Sequence, residues 1–100
     1  MKYILLSACS ETSVYLVPDD VASRLRHYCI YFCDTWLYQS PNAKKYHTDE
    51  GVCYTENDFI EYLNTWVFKN EKSTFVESIG WIDSTDDIPE KYNDCPMFDF

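Results

Sequence analysis

Glycine is scarce: Gly51 and Gly80 are the only two in 100 residues. Phosphate-cradling loops and the dinucleotide fingerprint need several glycines a few positions apart, so both are excluded. Basic residues are few as well, with 8 Lys and Arg against 17 Asp and Glu and a formal charge of -9 at pH 7. No basic stripe exists to neutralise phosphates, which argues against a nucleic-acid partner. Lys44 and Lys45, beside Tyr46 and His47, make only a small local patch. Long apolar runs are missing too. The opening MKYILLSACSE returns to polar residues after Ile4, Leu5 and Leu6, whereas a secretory signal needs about 7–15 apolar positions. No stretch approaches the roughly 20 that span a bilayer. The first helical segment also lacks a strongly cationic face, and the chain's net negative charge would be repelled by anionic lipid. The expectation is a cytoplasmic location without a membrane partner.

What is present is an aromatic-rich acidic chain. Hydrophobic residues make up 46% of it, including 9 Tyr, 6 Phe and 3 Trp. That content separates it from disordered chains, which combine high net charge with low hydrophobicity. Its length allows one domain, residues 1–100, with a modest core. The charge is uneven. Residues 1–48 carry five basic and four acidic side chains, residues 49–100 three basic and thirteen acidic. An acidic field of this kind repels nucleic-acid backbones and favours a positively charged protein, or simply confers solubility.

Along the chain, KYILLSA (2–8) and SVYLVP (13–18) read as two strands joined by a short polar turn. Asp19 and Asp20 suit a helix start, and a helix is predicted over about 20–38. Val21, Leu25, Cys29, Phe32 and Trp36 form its apolar stripe at spacings of four and three. Residues 39–52 read as a loop, with a short strand near Tyr46. TENDFIEYLNTWVFKN (55–70) is the clearest helix, opened by a capping box from Thr55 to Asp58. Its expected buried face is Phe59, Leu63, Trp66 and Val67, with Ile60 at the edge. STFVESIGWI (73–82) returns to a period of two and reads as a third strand, with Phe75, Glu77, Ile79 and Trp81 on one side. The whole reads as α+β: three or four mostly antiparallel strands with two helices packed on one face. Residues 83–100 read as an acidic C-terminal segment pinned by its apolar residues.

Chemistry concentrates in HYCIYFCDTW (27–36). Cys29 and Cys33 share a helix side, yet a tetrahedral zinc site needs two further ligands and no Cys-x2-Cys knuckle is present. Cys29, on the apolar stripe, reads as a small core hydrophobe. Five cysteines are an odd number, which suits free thiols in a reducing compartment. The enzyme reading would use Cys33 or Cys53 with His27 or His47, on the logic of an activated thiol. The sequence implies no cofactor and no metal site.

The remaining signal is a surface. Ile30 and Leu37 fall far from the first helix's buried centre, as Phe68 does on the second. With Asp83, Asp86, Asp87, Glu90 and Asp94 they make the candidate interaction surface. Tyr15, Tyr31, Tyr38, Tyr62 and Tyr92 offer further aromatic contacts, and association of two copies through them is a second possibility. The function expected is a noncatalytic interaction, regulatory or inhibitory module for a cationic partner, including a mimic of nucleic-acid charge. The alternatives are the cysteine enzyme and a structural protein whose acids serve solubility alone.

Overall fold

Alternation along two short strands sets the architecture. In the computed structural model, which describes residues 1–8 and 11–100, β1 (Lys2–Ser7) pairs antiparallel with β2 (Thr12–Val17). Leu5 lies opposite Val14 and Ile4 opposite Tyr15. The expected turn includes Cys9 and Ser10, which lie outside the described residues, as does any statement on the Cys9 thiol. Because side chains alternate across a strand, Ile4, Leu6, Tyr15 and Val17 enter one cluster. Leu5 and Val14 enter another on the opposite face, and all six are buried. β5 (Thr74–Gly80) adds to β2 antiparallel, and β6 (Met97–Asp99) adds to β1 parallel, giving the order β5-β2-β1-β6. The chain is α+β, as its patterning predicts.

Helices cover the first face. α1 (Asp19–Ser23) starts after Pro18, which takes the cap position expected of an aspartate. Asp19 instead meets the N-terminal amine at 2.8 Å. Arg24, at φ -130° and ψ 39°, separates α1 from α2 (Leu25–Ile30), so the single helix expected over 20–38 is broken near its start. α2 continues through a π-helical turn (Tyr31–Trp36) into α3 (Leu37–Gln39). A 3₁₀ turn (Pro41–Tyr46) and the hairpin β3 (His47–Thr48) and β4 (Gly51–Val52) follow, with Gly51 at φ 126° where a side chain would be strained. α4 (Glu56–Tyr62) opens with the expected capping box, the Thr55 N–H donating to Asp58 Oδ2 at 2.8 Å. It too ends in a π-helical turn (Leu63–Val67).

Those two π turns overturn four assignments made from a 3.6-residue repeat. The Leu37 N–H donates to the Phe32 carbonyl, and the Phe68 N–H to the Leu63 carbonyl at 2.7 Å. Both are i to i+5 bonds. In an α-helix a side chain five positions on points well away from the first, but the wider turn brings it back over the same face. Leu37, expected on the surface, is therefore fully buried. Phe68 is half-buried, its ring 5.9 Å from that of Tyr28. Trp66 and Val67, expected in the core, are turned out and are 47% and 38% exposed.

Phe32 is the hub of the main core. Its ring lies 5.1 Å from Tyr62, 5.5 Å from Phe59, 5.6 Å from Tyr54 and 6.2 Å from Phe100. Cys29 is fully buried in the same cluster, as its place on the stripe implies. Asn64 ties the end of the second helical segment to β5: its Nδ2 donates to the Ser73 carbonyl at 2.9 Å, and Oδ1 accepts the Ser73 N–H at 2.6 Å.

Candidate functional site

The sheet's second face is covered by the C-terminal segment, which carries two short 3₁₀ turns (Thr85–Asp87 and Glu90–Tyr92). Tyr92 is buried against Leu5 and Val14, with Ile88, Cys95 and Ile79 packed around them. The Tyr92 hydroxyl donates to Glu77 on β5 at 2.5 Å, and Lys91 pairs with the same carboxylate at 3.2 Å. The chain then enters the sheet as β6, where Phe98 and Phe100 pack against the helical core. The Ser7 hydroxyl donates to Asp99 at 2.9 Å, and the Phe100 N–H to the Ser7 carbonyl at 2.8 Å.

With the apolar residues turned in, the carboxylates face out. Asp83, Asp86, Asp87, Glu90 and Asp94 are all exposed. Among the described residues none of the five is in an ion pair, since the four pairs use Asp19, Asp20, Glu61 and Glu77. Asp87 has a structural task, accepting the N–H groups of Asp83 and Ser84 at 3.1 Å each. Glu90 and Asp94 border a cleft of about 480 Å³ that also contains Lys2 and Lys91, so their field is partly offset. The concentrated negative charge is therefore at Asp83, Asp86 and Asp87.

The apolar candidates are not brought to this surface. Leu37 is buried and Phe68 packs on Tyr28. Ile30 is half-buried on α2, beside Arg26, His27, Tyr31 and Thr35, on the helical side of the sheet. Tyr15, Tyr62 and Tyr92 are buried, whereas Tyr31 and Tyr38 are 47% and 64% exposed. The stretch just before the acids in the sequence carries exposed apolar residues that the periodicity did not single out as surface. Phe75 is 57% exposed, Val76 38% and Trp81 66%. They belong to β5, one of the two edge strands of the sheet, and to the residue that follows it. The expected sidedness of β5 also fails. Register shifts leave Val76 and Ile79 without partners, so Phe75 lies opposite Tyr15 and Glu77 opposite Val14, on different faces. Each extra residue inverts the alternation beyond it.

Among the described residues no thiol is hydrogen-bonded to an imidazole. Burial pushes the Cys29 thiol well above its ordinary pKa. Burial, and then the adjoining Asp34 carboxylate 3.7 Å away, push the Cys33 thiol up as well. Both shifts disfavour the nucleophilic thiolate. Cys53 is exposed with its sulfur 3.9 Å from Thr48 Oγ1, and His47 Nε2–H donates to the Leu37 carbonyl at 2.6 Å. His27 lies edge-on to Tyr28. Among the described residues no three of His, Cys, Asp or Glu converge as metal ligands. No described helix is long and apolar enough to cross a membrane. No family model, curated protein or solved structure matches the chain.

Proposed function

We propose that the protein is a noncatalytic interaction module that engages a cationic protein partner through its acidic C-terminal segment and the adjoining apolar edge of the sheet. One observation carries this reading: a segment folded so that Ile88, Tyr92 and Cys95 pack inward leaves Asp83, Asp86 and Asp87 exposed directly after the exposed Trp81. An aromatic anchor beside a charged rim is the composition of a protein-binding surface. Carboxylates kept for solubility alone need no such neighbour. The charge supplies steering and partner choice, and the aromatic supplies the buried contact area.

The test is photo-crosslinking from position 81 in the source cell extract, with position 38, equally exposed but on α3 of the helical layer, as a control. The module reading expects a discrete basic protein captured from position 81 and not from 38, competed by salt. Equal labelling from both positions would contradict it and leave the acids a solubility device.

A further inference from the structure

We propose that β5 is a docking edge that accepts a short, extended, cationic segment of the partner as an added strand. This deepens the binding reading above and rests on it. An outermost strand leaves one row of backbone N–H and C=O groups unpaired, ready to template another strand. Among the described strands β5 has one neighbour, β2. Protein edges are ordinarily guarded by lysine, proline, brevity, bulges or inward-pointing charges, and of these β5 has two bulges and Glu77. Thr74–Gly80 is 7 residues long and contains neither lysine nor proline. Its one charged residue, Glu77, points to the tail face and is occupied by Tyr92 and Lys91.

The character of the guest follows from what surrounds the edge. Ser78 donates to Glu11, which precedes β2, at 3.0 Å, so a carboxylate sits near the strand's far half on the β2 side. Asp83, Asp86 and Asp87 follow within a few residues of Gly80. Lys72 stands at the opposite end, before Thr74. The guest's basic residues therefore belong beside Ser78–Asp87, and its apolar side chains beside Phe75 and Val76. A second copy of this chain is the poorer occupant, because it would set Glu11 and the aspartates of one protomer against those of the other at -9 apiece. The register shifts at Val76 and Ile79 break the edge into short pieces, which also disfavours long, flat stacking of identical strands. Recognition of this kind takes affinity from the main chain and specificity from alternate side chains.

The probe is a short peptide with valines in one half and lysines in the other, compared with the same peptide N-methylated at every backbone amide. The second keeps charge and side chains but cannot pair as a strand. Amide hydrogen exchange and binding are measured at low salt on the intact protein. Strand addition expects slowed exchange within Thr74–Gly80 and about tenfold weaker binding of the methylated peptide. Equal binding of the two, with changes confined to residues 83–94, would overturn strand addition while leaving the acidic-surface reading intact. Failure of both peptides to bind would count against both proposals. Protection of β5 that rises with protein concentration alone would overturn the choice of guest in favour of a second copy.

Discussion

Leu37 and Trp66 exchange the roles that a regular α-helix would assign them, and their energetics should follow their places. Leu37→Ala removes a fully buried side chain over Phe32 and should cost about 2–5 kcal/mol in denaturant unfolding. Trp66→Ala, at a 47% exposed position, should cost about 1 kcal/mol or less. The reverse order would contradict the phase shift assigned to the π turns. Asn64→Ala leaves the buried Ser73 backbone without both partners and should cost about 1–3 kcal/mol. Buried and half-buried tyrosines offer a separate check. Burial raises Tyr15, Tyr54 and Tyr62 to about 12, with Glu56 and Asp58 adding to the shift of Tyr15. The unfolded chain releases these protons near pH 10 and the folded one retains them to about 12, so stability is whole below pH 10 and falls as pH rises through that interval. Absorbance titration should show these three ionising at about 12, in step with unfolding. A single transition near 10 would count against the buried sites.

Among the elements, the C-terminal segment is the one whose attachment positions the proposed surface. Truncation before Tyr92 should lower the melting temperature, because it uncovers Leu5 and Val14 and deletes β6. An unchanged melting temperature would show that the segment is no part of the core. The Tyr92 hydroxyl, and then Lys91, hold the Glu77 carboxyl below its usual range. A depressed carboxylate contributes stability that is present above the ordinary range and lost as pH falls through the lowered value. Glu77→Gln should therefore loosen residues 88–96 at neutral pH and flatten their acid-induced loss of exchange protection. An identical pH profile in the variant would remove this latch from the account. Much of the element order was legible beforehand: both N-terminal strands, the Thr55–Asp58 box and the third strand follow local rules of alternation and capping. The break at Arg24, the π turns and the bulges at Val76 and Ile79 were not. Each depends on hydrogen bonds that nearest-neighbour periodicity does not encode. The acids of the candidate site were readable from composition, but the edge position of β5 is a property of topology.

On the scale of the molecule, the helices close one face of the sheet and the acidic segment closes the other, leaving β5 open at the side. Asp83→Asn, Asp86→Asn and Glu90→Gln together should change the melting temperature little, since exposed and unpaired carboxylates contribute weakly to stability. Asp87 is left in place in that variant because it holds the Asp83–Ser84 backbone. The measurement that bears most directly on the binding account is the association rate of this variant with the protein captured through position 81. It is taken by stopped flow at about 0.01 M and about 0.15 M salt, where the screening length falls from about 30 Å to about 8 Å. The account predicts association slowed several-fold at the lower salt, with the difference from the unmodified protein mostly gone at the higher. An association rate unchanged at both concentrations would contradict it.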